Sequence, residues 1–234
     1  MTKNKKNLTE LEKLLNVKFD SIILLNEALT HSSYVNQDKN SKHNERLEFL
    51  GDSVLQLTIS EYLYKNYSEK SEGELTKTRS LIVCENSLHK IAKSLNLGKY
   101  LSMSKGEELT GGRERVSILA DCVEAIIAAI YLDKGFNSAK EFILVKFKVI
   151  IEKALTNEII LDYKTRLQEI LQKDGGVSIV YNLIKYEGPP HHRKFFTEVL
   201  VNNKPFSSGF GYSKKESEQA AAKEVLITLE DIHE

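Results

Sequence analysis

Along the first two-thirds of the chain, apolar residues return every three or four positions, which is the period of a helix. Leu11, Leu14 and Leu15 open one stripe, and Leu47, Leu50, Val54 and Leu55 form a second. Ile118, Cys122, Ile126, Ala129 and Ile130 form a third, and Phe142 to Leu155 reads as a further helix. No proline interrupts any of them, because Pro189, Pro190 and Pro205 all lie in the last quarter. The pattern predicts an all-α domain over residues 1–156.

The period then changes. Asp162 to Lys173 keeps helical spacing and stops at Gly175-Gly176. Val177, Ile179, Tyr181 and Leu183 alternate with other residues, as a strand requires. Gly188-Pro189-Pro190 marks a loop, and Phe196 to Val201 a second strand. Asn202-Asn203 suits a tight hairpin into a third strand, Pro205 to Tyr212. Ser213 and Glu216 have the spacing of a capping box, with a helix following through Ala220, Ala221, Val225 and Leu229. The fold class is therefore an all-α N-terminal domain followed by a small α+β domain of order α-β-β-β-α over residues 162–231. Residues 157–161 are the expected linker.

Composition narrows the class. Hydrophobic residues make up 41% of the 234, enough for a real core. The longest apolar tract, Val123 to Leu132, is far short of the ~20 residues a membrane span needs and contains Glu124. Met1 to Leu8 is polar and lysine-rich, unlike a signal peptide. Cys84 and Cys122 have neither disulfide-framework nor zinc spacing, so a reducing, cytoplasmic setting is expected. Lysine and arginine total 33 against 33 acids, so any polyanion binding must rest on local placement.

The chemistry lies in the acids. Glu45, Glu48 and Asp52, in Asn44 to Leu55, fall at i, i+3 and i+7. At ~100° per residue they share one helix face within about 60°. A solvated acidic face has the same spacing, but Leu47, Phe49, Leu50, Val54 and Leu55 cover most of this helix. Carboxylates crowded there repel unless cations neutralise them. Asp121 and Glu124 stand at i, i+3 in a second tract whose other residues are nearly all apolar. Buried acids are either paired with a base or bind metal, and no basic residue lies within this helix. If the two sets of acids meet, an all-oxygen site suits a hard ion such as Mg²⁺ or Mn²⁺. Ser71 and Glu74 have capping-box spacing, which leaves Glu72 as a supporting acid. Leu47, Phe49, Leu50 and Leu55 offer more apolar surface than one neighbour covers, so a homodimer through this helix is expected.

NERLEFLGD at Asn44 to Asp52 resembles the signature of the ribonuclease III family, and Ile118 to Gly135 resembles its second acidic helix. LTHSS at Leu29 to Ser33 and GEELTGG at Gly106 to Gly112 also match. GPPHHRKF at Gly188 to Phe195 and SKKESEQAAA at Ser213 to Ala222 resemble a double-stranded RNA-binding domain. The likeness runs from about residue 8 to 230, in the domain order of the family's short bacterial form.

The resemblance implies that Glu48, Asp52, Asp121 and Glu124 are metal ligands, that Asp52 and Glu124 act in catalysis, and that Glu45 and Glu72 support them. It implies that Phe49 enters a partner subunit of a homodimer. It also implies that Gln168, Glu169, His191, Lys214 and Lys215 contact RNA. The expected reaction is two-metal hydrolysis of double-stranded RNA, giving 5′-phosphate ends and short 3′ overhangs. The expected substrates are ribosomal RNA precursors and other structured transcripts. Neither a small-molecule cofactor nor a membrane is expected. Ser53 departs from the alanine also common at its position. A non-catalytic RNA-binding relative would have lost an acid, and none is lost. A di-iron bundle needs two Glu-x-x-His pairs in its core, and Glu230 with His233 is the one such pair.

Overall fold

The computed structural model describes residues 2–35, 42–156, 162–172, 176–189 and 193–231. The chain forms two compact units, one ending at Ile159 and the other beginning at Ile160. The first is helical, with α1 (Thr2–Leu15), α2 (Ile22–Ala28), α3 (Ser32–Val35), α4 (Glu45–Asn66), α5 (Glu72–Ile82), α6 (Glu85–Ser94), α7 (Lys105–Leu109) and α8 (Val116–Leu155). The second runs α9 (Tyr163–Gln172), β1 (Ile179–Glu187), β2 (Lys194–Val201), β3 (Lys204–Gly211) and α10 (Lys214–Asp231).

Helix α8 is the axis of the first unit. Its N-terminal half is apolar on all sides but that of Asp121 and Glu124, and Ile118 to Ala120, Cys122, Val123 and Ala125 to Ile130 are all buried. Such a helix must be surrounded. Leu11 and Leu15 of α1, Leu25 of α2, Leu55, Ile59 and Leu63 of α4, Ile82 of α5 and Ile91 of α6 share its core. The expected separate helix at Phe142 to Leu155 is the continuation of α8 beyond a break at Gly135, where φ is +81°. The left-handed backbone there suits glycine and re-aims the rest of the helix.

Two caps follow their sequence signals with one difference. Ser71 and Glu74 form the complete reciprocal box at the start of α5. At α10 the Ser213 hydroxyl accepts from the Glu216 amide (3.1 Å), but the Glu216 carboxylate accepts from the Tyr212 amide (2.8 Å), one residue before the cap. The charged tract after Lys105 is held down. It contains α7 and a 3-10 turn at Gly112–Glu114, and Arg113 donates to the Gly98 and Leu101 carbonyls and pairs with Glu108.

In the second unit three antiparallel strands lie in the order β1-β2-β3. Asn202 and Asn203 both take left-handed φ, 50° and 63°, which is the hairpin geometry their sequence implies. One sheet face carries α9 and α10 over a core of Leu167, Val199, Ala221, Ala222, Val225 and Leu226. A Cβ on Gly209 would sit 2.2 Å from the Ala221 amide nitrogen, so α10 lies directly on the β3 backbone.

Candidate functional site

Helices α4 and α8 make the most extensive contact of the first unit. They cross at Gly51, where a Cβ would stand 1.8 Å from the Glu124 carbonyl oxygen. The missing side chain lets the two backbones touch, and the acids flank that contact: Glu48 and Asp52 on α4, Asp121 and Glu124 on α8.

The crossing brings Glu48, Asp121 and Glu124 together, with one carboxylate oxygen from each within 4.8 Å of the others. All three are half-buried. Burial pushes Glu124 up to about 8, helped by the charges of Asp52, Glu48 and Asp121. Burial also raises Glu48, with Asp121, Glu45 and Asp52 adding to it. Asp121 is raised by burial and by Glu85, while His31 opposes the rise. Among the described residues no lysine or arginine forms an ion pair with any of the three. Such a cluster of oxygen donors, repelling one another without a protein cation, fits a hard divalent ion.

The other expected acids sit differently. Asp52 is half-buried beside the cluster, and both its oxygens accept from the Gln56 amide at 3.0 Å. Glu45 is exposed one turn before Glu48, with the His43 ring 3.7 Å away. Glu72 is exposed on α5, accepts from the Thr76 hydroxyl (2.9 Å) and lines a separate cavity. That cavity, about 760 Å³, lies between the end of α4 and α5 and includes Leu63, Tyr64, Tyr67, Leu75 and Arg79.

The apolar surplus on α4 is smaller than its sequence indicates. Leu47 and Leu55 are buried in their own core and Leu50 packs against it. What stays uncovered is Phe49 (78% exposed), Leu57 (59%) and Tyr64 (76%), at i, i+8 and i+15, within one stripe.

Sequence reading passed over three contributors. Gly51 carries a signal, a glycine inside an otherwise strong helix. His31 sits in a strip tied to residue 102 by paired backbone hydrogen bonds, and its ring meets the Ser33 hydroxyl at 2.8 Å. Glu85 opens α6, and nothing in its local sequence marks it as a neighbour of Asp121.

In the second unit Gln168 and Glu169 are exposed on α9, with Glu169 3.7 Å from Arg166. Lys214 and Lys215 are exposed in the first turn of α10, where free backbone amides favour anions. His191 lies outside the described residues.

The chain thus joins a helical domain built around an acidic centre to an α-β-β-β-α module that follows it in sequence. Residues 21–150 match the model described as ribonuclease-III-like. Residues 163–229 match the double-stranded RNA binding motif. The chain is 65% identical over 226 residues to Clostridium perfringens ribonuclease 3, covering 97% of this chain and 95% of that one. It is 64% identical over 231 residues to ribonuclease 3 of Clostridium beijerinckii, covering 99% and 100%. Among solved structures, the nuclease domain of ribonuclease III from Campylobacter jejuni is similar at 48% identity and a TM-score of 0.58, covering 62% of this chain and 95% of that one. The chain belongs to the ribonuclease III family.

Proposed function

We propose that the chain is a homodimeric, Mg²⁺-dependent endoribonuclease that cuts double-stranded RNA, leaving 5′-phosphate ends and short 3′ overhangs. The observation that carries this is the meeting of Glu48, Asp121 and Glu124 at one helix crossing without a basic partner among the described residues. The double-stranded RNA binding motif in the same chain supplies the substrate class. When bound, the divalent ions lower the cost of ionising water and stabilise charge on the phosphodiester oxygens. Glu48, Asp121 and Glu124 would hold them, with Asp52, now bonded to Gln56, the further carboxylate beside them. Burial and crowding raise Glu124 to about 8, and the crowding is the kind of charge repulsion a divalent cation there would relieve. Mn²⁺ substitutes, being another hard ion that accepts an all-oxygen site.

The dimer forms through the uncovered stripe of α4. An antiparallel crossing near Leu57 lays Phe49 over the partner's end of the same helix, where the cavity of about 760 Å³ can receive it. Because Glu72 lines that cavity, the same seating carries the partner's Glu72 toward Glu45 and Glu48. This gives Glu72 its supporting role across the interface.

The second domain holds the duplex by shape, through Gln168 and Glu169 on α9, His191 and the lysines of α10. Among the described residues no helix is long and apolar enough to cross a membrane. We assign the enzyme to the cytoplasm, with ribosomal RNA precursors and other structured transcripts as substrates. The test is cleavage and binding of a long RNA duplex by Asp52→Ala and Glu124→Ala. Both should bind the duplex and fail to cut it in Mg²⁺; near-normal turnover by either would refute the site.

A further inference from the structure

The sheet of the second domain has a face that neither helix covers. Gly209 and Gly211 point at α10, as do Thr197, bonded to Ser217, and the buried Val199. Strand alternation therefore turns Phe196 and Phe210 to the opposite face. They are register partners across β2 and β3, with ring centroids 6.1 Å apart. Phe210 is 57% exposed, and Tyr212, next along the chain on this side, is 51% exposed.

Cations lie over these rings. Lys185 sits 4.8 Å from the Phe196 centroid, and Lys194 sits 5.6 Å and 5.8 Å from those of Phe210 and Tyr212. Lys185 also pairs with Glu187 at 2.6 Å, whereas among the described residues Lys194 has no carboxylate within ion-pair distance. Glu198 bounds the patch two residues along β2. From residue 179 to 211 the chain carries four basic residues (Lys185, Arg193, Lys194, Lys204) against two acidic ones (Glu187, Glu198). From 161 to 234 the count is 10 against 11. The strands thus hold a local positive excess in a domain that has none overall.

Rings on an uncovered sheet face, Phe196 half-buried and Phe210 and Tyr212 exposed, with lysines beside them are what an unpaired nucleic-acid strand needs. Bases stack on the rings whatever their sequence, and phosphates meet the cations. We propose that this outer sheet face binds single-stranded RNA, with bases stacked on Phe196 and Phe210 and backbone phosphates on Lys185 and Lys194. It is a surface separate from α9 and the start of α10, which with His191 carry the duplex assignment. Its occupant is an unpaired segment of RNA, such as one flanking a duplex.

The experiment is fluorescence anisotropy with the full chain, in chelator, using a labelled unstructured uridine oligonucleotide of about ten nucleotides, within the usual site size. The oligonucleotide should bind, and an excess of blunt RNA duplex should not displace it. Phe210→Ala should weaken it roughly 5- to 150-fold, the range for losing one base-stacking ring, and leave duplex affinity unchanged. Lys194→Gln should lower the salt slope by about one phosphate. Phe210 is on the surface, so an unchanged melting temperature shows that the variant is folded. Absence of oligonucleotide binding, its displacement by duplex, or equal binding by Phe210→Ala would each overturn the proposal. A change in oligomeric state of Phe210→Ala with RNA binding intact would also overturn it, and would make the face a protein contact.

Discussion

Substituting alanine for Gly51 tests the helix crossing on which the site depends. The new Cβ would stand 1.8 Å from the Glu124 carbonyl oxygen and 2.5 Å from its carbon. Ordinary contact is near ~3.5 Å, so α4 and α8 must part by up to roughly 1.7 Å. Both obstructing atoms are backbone, and no side-chain rotation relieves them. Alanine gains up to about 1 kcal/mol of helix propensity over glycine. Overpacking a filled core costs about 1–3 kcal/mol, and a clash with backbone belongs at the upper end. The expected net loss is about 1–2 kcal/mol, or a drop in melting temperature of several degrees at roughly 2–4 °C per kcal/mol for a chain of this size. Activity should suffer more than stability. Glu48 and Asp52 ride on one helix and Asp121 and Glu124 on the other, so the separation acts directly on the acids. A misplacement of ~1 Å costs on the order of 100-fold in rate. Calorimetry gives the first quantity and single-turnover cleavage of a defined duplex at saturating Mg²⁺ the second. A Gly51→Ala chain that melts and cleaves like the parent would refute this account of the crossing.

Three further outcomes are expected. Glu124, raised to about 8, and Glu48 and Asp121, also raised, bind more protons folded than unfolded between their unfolded and folded values. The stability they contribute is therefore present at low pH and lost as pH rises through the folded values. In chelator the melting temperature should fall from about pH 5 to about pH 8, and Mg²⁺ should reverse the fall; a flat profile in chelator would contradict the cluster. Phe49→Ala, at a position 78% exposed, should leave the fold within about 0.5 kcal/mol while sedimentation shows weaker dimerisation; an unchanged dimer would count against the stripe. A chain ending near residue 157 should cut duplex RNA at low salt and fail as salt rises, because the phosphate contacts proposed for Lys214 and Lys215 are gone. Equal rates for short and full chains at every salt concentration would remove the second domain from RNA holding.

The sequence by itself determined the elements and the chemical character of the centre. Helical and strand periods are local properties of side-chain spacing, so the all-α stretch and the β-β-β run were legible without contacts. So were the Asn202-Asn203 hairpin and the Ser71 cap, since each is a matter of a few neighbouring residues. Acids embedded in apolar helices pointed to a candidate cation site because burial makes an unpaired charge costly. Tertiary structure decided what lies at long range. Asp121 is 73 residues from Glu48, and only the α4–α8 crossing at Gly51 brings them within one ion's reach. The same crossing gave Glu124 three acidic neighbours, with burial the largest part of its shift. Periodicity identified α4 as an apolar helix but could not divide its apolar residues between core and surface. Leu47 and Leu55 went inward and Phe49 stayed out, because that division depends on where α8 lies. Spacing likewise made Phe196 and Phe210 strand residues, and only α10 settling on Gly209 turned both rings to the uncovered face.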